Sequence, residues 1–197
     1  MATTEHTIVA LVENRPGVLN RVSSLFRRRG FNIESIAVGQ TEKSDVARMT
    51  IVVGGVTTVV EQVTKQLYKL VNVIKVSDIT SEQMVARELA LVKVKTTPST
   101  RGEVIQIVDV FRANIVDVSS DSLMIEVTGD EDKINSLIQL LRGFGIKEVA
   151  RTGRVALVRG VVGTTSLEEE SMASANIRGR RASAVPTPPK IGGTTDG

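Results

Sequence analysis

The stretch best suited to chemistry is Glu13-Asn14-Arg15-Pro16-Gly17-Val18-Leu19, which joins turn-forming residues to the predicted start of a helix. Asn14 can bond its own backbone two residues on, Pro16 fixes φ, and Gly17 allows close approach to the backbone. The amides from Gly17 to Leu19 lack intrahelical partners and lie at the positive end of the helix dipole. They predict a seat for a small anion such as a carboxylate, although an ordinary strand–helix turn explains these residues equally well.

The composition excludes several other kinds of site. The 197 residues include one histidine, His6, and no cysteine, which excludes disulfides, thiolate chemistry and His- or Cys-based zinc sites. No catalytic triad, metal set or pair of buried carboxylates stands out. The net charge of +3 does not mark a polyanion binder. Apolar runs are too short to span a membrane and no secretion signal is evident, so we expect a cytoplasmic protein.

Hydrophobic spacing predicts the elements that position this turn. They are a strand at 7–12 buried on both faces, a helix at 18–29 ended by Gly30, strands at 32–38 and 46–53, a helix through Val59, Val63, Leu67 and Leu70, and a strand at 73–79. This βαββαβ order is a ferredoxin-like split βαβ unit.

The same order returns in the second half of the chain. A strand at 89–95, a helix at 102–113, a hairpin of 115–118 with 123–127, a helix at 130–144 and a strand from 146–149, its continuation to Val158 left open, are expected. Two short repeats support a duplication: Leu25-Phe26-Arg27 with Val110-Phe111-Arg112, and Ile74-Lys75-Val76 with Ile146-Lys147-Glu148. The second copy has Thr97-Pro98-Ser99-Thr100-Arg101-Gly102 in place of the first turn, so we expect the ligand seat in the first copy only.

The tandem order and the Asn14 turn resemble the ACT domain, a small-molecule-sensing module. Four further segments resemble the regulatory small subunit of acetohydroxyacid synthase, also called acetolactate synthase: RGFNIES at 29–35, RMTI at 48–51, QLYKLVNV at 66–73 and RELALVKV at 87–94. The resemblance covers about residues 5–160.

The resemblance implies an α+β fold of two tandem ferredoxin-like domains. Residues 5–80 would form an N-terminal ACT domain that binds the effector and dimerises, and residues 85–160 a C-terminal ACT-like regulatory domain. Residues 163–197 are rich in Ser, Thr, Gly, Ala and Pro without an apolar period, which predicts a disordered tail.

The resemblance also implies a protein that has no chemistry and no cofactor of its own. It would bind and activate a large catalytic subunit that uses thiamine diphosphate, magnesium and FAD, and would confer feedback inhibition, usually by valine. The effector would lie between two protomers of a homodimer, with Asn14, Gly17, Val18 and Leu19 from one and Asn32 and Ile33 from the other. In the polar loop 40–45, the positions that correspond to a family segment reaching the catalytic subunit are Gln40, Thr41, Glu42 and Lys43.

The chemistry of these side chains suits an amino-acid ligand. The amides after Pro16 can bind a carboxylate, and Asn14 and Asn32 offer amide oxygens to an ammonium group. Val18 and Ile33 could face an aliphatic side chain. Taken singly, Asn14 as a turn cap and Asn32 as the start of a strand are the commoner roles.

Two alternative functions are considered for this order of elements, and RNA binding is the one from another class of protein. RNA-recognition modules share the βαββαβ order but stack bases on aromatic residues of the central strands. Here all five aromatic residues fall on predicted helices or their flanks: Phe26, Phe31, Tyr68, Phe111 and Phe144. An ACT-type sensor that regulates another amino-acid biosynthetic enzyme is the main alternative. The sequence does not decide which branched-chain amino acid binds, since one methylene discriminates by only about 1–3 kcal/mol.

Overall fold

The fold is described by a computed structural model covering residues 5–160. The first half contains β1 (Glu5–Glu13), α1 (Val18–Arg29), β2 (Ile33–Gln40), β3 (Val46–Gly54), α2 (Thr57–Leu67) and β4 (Val73–Asp78). The second half contains β5 (Met84–Lys95), α3 (Arg101–Val110), β6 (Asn114–Val118), β7 (Ser122–Gly129), α4 (Glu131–Leu141), a 3-10 turn (Arg142–Phe144), β8 (Ile146–Arg151) and β9 (Val155–Val158). The predicted tail at 163–197 lies outside the described residues.

The first sheet has the antiparallel order β2-β3-β1-β4. Because side chains alternate along a strand, Ile8, Ala10 and Val12 of β1 pack against the helices in one core. Val9 lies on the opposite face and packs with Ile79 and Ala156. The predicted burial of β1 on both faces is confirmed, and the second covering layer comes from the chain's own β5 and β9.

The second sheet has the order β6-β7-β5-β8, and its core lies between the sheet and the helices α3 and α4. Val92 of β5 and Ile125 of β7 are fully buried partners across the sheet. Each half is therefore a βαββαβ unit with helices on one face, and the predicted fold class is confirmed.

Two strands differ from the sequence prediction. β5 begins at Met84 rather than at residue 89, and its residues Met84–Arg87 pair with β9. The last strand is interrupted after β8, which pairs with the later part of β5. The interruption, Thr152-Gly153-Arg154, lies between β8 and β9, and Thr152 remains attached to β5 through its N–H bond to the Leu89 carbonyl.

Helices α3 and α4 end earlier than predicted. α3 stops at Val110 because Arg112 adopts a left-handed conformation with φ of 49°. α4 begins after Asp130, whose carboxylate accepts from the Lys133 N–H at 2.9 Å, and tightens into the 3-10 turn after Leu141. No helix among residues 5–160 is long and apolar enough to cross a membrane.

Candidate functional site

The Asn14 turn is attached to the loop between β2 and β3. The Asn14 N–H donates to the Asp45 carbonyl at 2.7 Å, and its side-chain Nδ2 donates to the Ser44 carbonyl at 3.0 Å. The expected side-chain bond to its own backbone two residues on is therefore replaced by a bond across the sheet. The reason is the register, since Glu13 pairs with Val46 and brings residues 44 and 45 alongside Asn14.

The start of α1 keeps backbone N–H groups available for a ligand. Gly17 precedes the helix with φ of 84°, and no side chain in the described part of the chain caps the helix. The first bond of the helix runs from the Arg21 N–H to the Gly17 carbonyl at 3.1 Å. The Val18 N–H makes a long contact, 3.4 Å, with the Arg15 carbonyl. The Leu19 N–H has no partner among residues 5–160. Of the three predicted amides, Val18 is thus the one with a local partner.

Val18 and Leu19 differ in what they present at this turn. Val18 is only 4% exposed as a whole residue and packs into the first core, so the predicted contact of its side chain with a ligand is not available. Leu19 is 48% exposed. Leu19 is therefore the apolar side chain that the turn offers to a ligand or a partner.

Asn32 and Ile33 lie at the other end of the same sheet. Ile33 pairs with Val53, which pairs in turn with His6, near the beginning of β1. Asn14 follows the end of β1, and the seven residue-to-residue steps from His6 to Glu13 span about 23 Å. A single chain therefore does not bring the two predicted halves of the site together.

The Asn32 side chain has a local partner. Its Nδ2 donates to the Glu34 carboxylate at 2.7 Å, which leaves the amide oxygen as the group that could accept from a ligand. Ile33 is partly buried and packs against the first core.

The predicted partner-contact segment forms the exposed turn between β2 and β3. Gln40 ends β2 and donates from Nε2 to the Ser44 carbonyl at 3.3 Å. The Thr41 hydroxyl lies 3.1 Å from the Lys43 carbonyl, and Glu42 and Lys43 are exposed. Sequence reasoning missed Ser44, whose carbonyl accepts from both Asn14 and Gln40, because a backbone acceptor carries no side-chain signature.

Arg48 connects this end of the first sheet to β9. Its Nη2 donates to the Ala156 carbonyl at 2.8 Å. Burial lowers the pKa of the Arg48 guanidinium below its ordinary value, and the negative charge of Glu42 offsets part of this shift. The loop that carries Glu42 is thus electrostatically connected to the contact between the two halves.

The structure describes all five aromatic residues, and none of them stands on a sheet. Phe26 and Phe31 meet edge to face with centroids 6.1 Å apart, and the Tyr68 hydroxyl donates to the Val76 carbonyl at 2.9 Å. Phe111 and Phe144 pack against the second core. Base stacking on the sheet therefore has no platform here. Within residues 5–160, no cluster of three or more His, Asp or Glu side chains could hold a metal ion.

Comparison with known proteins agrees with this architecture. A family model described as "AHAS small subunit-like ACT domain" matches residues 8–75, and one described as "Small subunit of acetolactate synthase" matches residues 87–160. The chain is 63% identical over 156 residues to the "Probable acetolactate synthase small subunit" of Archaeoglobus fulgidus, covering 79% of this chain and 98% of that protein.

Two further relatives extend the comparison. The "Acetolactate synthase small subunit" of Mycolicibacterium smegmatis is 53% identical over 158 residues, which cover 80% of this chain and 93% of that protein. The crystal structure of the acetolactate synthase small subunit from Thermotoga maritima matches with a TM-score of 0.75 and 43% identity, covering 81% of this chain and 99% of that one. The chain therefore belongs to the family of acetolactate synthase small subunits.

Proposed function

We propose that this chain is the regulatory subunit of a thiamine-diphosphate-dependent acetolactate synthase, whose catalytic subunit would also use magnesium and FAD. It binds and activates that catalytic subunit in the cytoplasm and confers feedback inhibition by valine. The chain itself is non-catalytic and carries no cofactor. Its homodimer holds the effector between two N-terminal ACT domains.

The observation that carries this proposal is the open edge of β2. Within residues 5–160, β2 has β3 as its one hydrogen-bonded neighbour. If the β2 strands of two copies pair antiparallel, Ile33 of each lies beside the Gln40 end of the other. Gln40 pairs with Ala47 and Ala47 with Val12, so this is also the Asn14 end of the sheet. Such pairing would unite the two half-sites that a single chain separates.

The united half-sites match the chemistry of a branched-chain amino acid. The free amides at the start of α1 would bind the carboxylate, and the amide oxygens of Asn14 and Asn32 would accept from the ammonium. Leu19 and the partner's copy of the β2 start would meet the aliphatic side chain. Neither asparagine adds a competing positive charge.

The Ser44 carbonyl gives the effector a route to the catalytic subunit. Asn14 would contact the effector, and Gln40 begins the exposed loop that would contact the catalytic subunit, yet both donate to this one acceptor. Reorientation of the Asn14 amide towards a ligand would therefore change the hydrogen bonding of the loop. A coupling free energy of about 1–3 kcal/mol would be enough for useful feedback.

The first test is a thermal-shift scan of the pure chain against all twenty amino acids, with light scattering in parallel. Ligand at about a hundred times Kd stabilises the fold by about 2.7 kcal/mol, a readable shift. Selective stabilisation of a dimer by valine or its branched relatives is expected. A response to an unrelated amino acid would favour a sensor for another biosynthetic enzyme, and a monomer in the presence of valine would contradict the two-protomer site.

The second test is reconstitution with the catalytic subunit. The chain should raise the rate of acetolactate formation, and valine should reverse this increase. Turnover by the chain alone would contradict a purely regulatory role.

A further inference from the structure

The interruption between β8 and β9, Thr152-Gly153-Arg154, gathers contacts from both halves of the chain, and we call it the clasp. Arg154 Nη2 lies 3.1 Å from the Glu5 carboxylate and also contacts Glu131, while its Nε lies 3.4 Å from Glu88. These carboxylates belong to β1, α4 and β5 respectively. One guanidinium therefore joins the first sheet, the shared strand and a helix of the second half.

The clasp also contacts β2. The Arg154 N–H donates to the Ser35 hydroxyl at 2.9 Å. Gly153 lies against the β2 backbone so closely that an added Cβ would collide with the Ile36 carbonyl and lie 2.9 Å from the Ala37 nitrogen. The φ of Gly153 is outside the left-handed region, so this contact, rather than backbone conformation, requires glycine here.

The charges of the clasp compensate one another in a largely buried setting. The Arg154 side chain is 14% exposed and that of Glu88 6% exposed. Burial acts to lower the pKa of Arg154, but its contacts with Glu5, Glu131 and Glu88 raise it above its ordinary value. Glu88 also accepts from Arg151 Nε at 2.6 Å, so each oxygen of this buried carboxylate lies against an arginine. Both arginines keep their charge at physiological pH, because arginine does not titrate there.

From this geometry we infer that the clasp is a positioning element through which the second half of the chain sets the position of β2. Among residues 5–160, β2 is an edge strand with β3 as its one hydrogen-bonded neighbour, and the clasp supplies a further contact through Ser35. Glu131, at the start of α4, acts on β2 through Arg154. The regulatory meaning of this link rests on the proposed function, since β2 would carry the dimer contact and half of the effector site.

The test compares Glu131→Gln with Asp132→Asn in the full chain. Both substitutions remove one acidic group from the first turn of α4, so both weaken its interaction with the helix dipole equally. Only Glu131 contacts Arg154, because Asp132 is exposed and has no ion pair among the described residues. Hydrogen–deuterium exchange of residues 33–40 is measured without effector, with exchange of β7 as the reference for global stability.

Glu131→Gln should speed exchange in β2 by about fivefold relative to β7, because loss of a local tie raises the population of locally open states. Asp132→Asn should leave it unchanged. Equal exchange in β2 for the two variants, whether raised in both or in neither, would overturn the inference. Restored slow exchange in Glu131→Asp would show that the carboxylate, rather than side-chain length, matters, whereas slow exchange in Glu131→Ala would overturn the role of the charge.

Failure of the proposed function gives a different pattern. If no amino acid binds the wild-type chain, feedback by valine is excluded, while the Glu131 comparison still decides whether the clasp positions β2. If valine binds, it should alter exchange in both β2 and residues 131–141, and Gly153→Ala should abolish the second response while keeping the first. The control variant Gly143→Ala should keep the exchange response of α4. If Gly153→Ala also keeps it, transmission through the clasp is overturned.

Discussion

Asn14 and Gln40 donate to the same acceptor, the Ser44 carbonyl, at 3.0 and 3.3 Å. The strand–helix turn and the exposed loop between β2 and β3 therefore form one hydrogen-bonded unit. Asn14 is also held through its backbone by the Asp45 carbonyl. Substitution of this asparagine side chain should consequently alter both the stability of the loop and the affinity for a ligand.

Replacement of Asn14 by alanine should weaken valine binding by about tenfold to a hundredfold, the cost of losing a hydrogen bond to a charged group. It should also speed amide exchange in residues 41–45, because the side-chain bond to Ser44 is lost. Calorimetry and hydrogen exchange measure the two effects. Asn20→Ala is the matched control, since Asn20 is an exposed residue in the first turns of α1. Unchanged valine binding in Asn14→Ala would count against the proposed site.

Mixed dimers should reveal the two-protomer construction of the site. Asn14→Ala and Asn32→Ala should each weaken valine binding at both sites of a homodimer, so that neither site fills at a valine concentration that saturates the wild type. In a mixed dimer of the two variants, one site carries both substitutions and the other carries neither. Half of the wild-type valine stoichiometry should therefore return on mixing, as measured by calorimetry. No recovery in a verified mixed dimer would place both asparagines in one site of the same chain, or outside the site.

Gly153→Ala should destabilise the fold by about 1–3 kcal/mol, the usual cost of overpacking. The added methyl group collides with the β2 backbone, which cannot move aside as a flexible side chain could. Gly143→Ala is the matched control because a Cβ there meets no atom of residues 5–160 within 4 Å, and we expect a change within about 0.5 kcal/mol. Urea unfolding of the two variants makes the comparison. Equal stability would mean that β2 and the clasp adjust freely.

The ends of α1 and α3 offer a comparison within one chain. Gly30 and Arg112 make the same capping bonds, to Arg27 and Asp109 respectively, and both have positive φ, at 68° and 49°. Gly30→Ala should cost about 1 kcal/mol because a left-handed conformation is unfavourable for L-residues with a Cβ. Arg112→Gly should be neutral or stabilising by up to about 1 kcal/mol. Urea unfolding measures both, and a destabilising Arg112→Gly would indicate that its side chain is needed.

Acid stability should depend on the contact between Asp121 and Lys147. The hydrogen bond from Lys147, at 2.5 Å, and its charge hold the pKa of the Asp121 carboxyl below its ordinary value of 3.8. A lowered carboxyl pKa stabilises the fold above the ordinary value, and this stabilisation is lost as pH falls through the folded-state pKa.

Lys147→Met should therefore be less stable than wild type at pH 6, and the difference should shrink as the pH approaches 2. Urea unfolding across this range measures it. Lys69→Met, which removes an exposed lysine without an ion pair among the described residues, should show no comparable convergence. A constant difference for Lys147→Met would exclude the carboxylate as its cause.

Local pattern was enough to predict most of the fold. The spacing of Val18, Val22 and Phe26 marks the buried side of α1, and the apolar alternation of β3 marks a strand. Such periods depend on neighbours in sequence, so they survive without tertiary information. The left-handed conformation of Arg112 could not be predicted, because glycine is the usual residue at such a position and an arginine gives no signal for it.

The clasp could not be predicted from the sequence because its meaning is entirely tertiary. Gly153 is required by the approach of Ile36, and the carboxylates around Arg154 come from residues 5, 88 and 131. The range 146–158 suggests a single strand when considered alone. Within the candidate site, the sequence alone was enough to propose the asparagines as groups for a zwitterionic ligand, but their separation along the sheet became evident only from the strand register.

The continuity of β5 has a consequence for how this chain can be divided. Met84–Arg87 pair with β9 over the first sheet, and Glu88–Lys95 pair with β7 in the second, so one unbroken strand serves two cores. If the chain were cut or recombined within β5, one half would lose strand residues that cover its core. Because this strand is shared, neither half can be exchanged as an independent unit, and an excised N-terminal domain would need a redesigned surface around Val9 and Ile79.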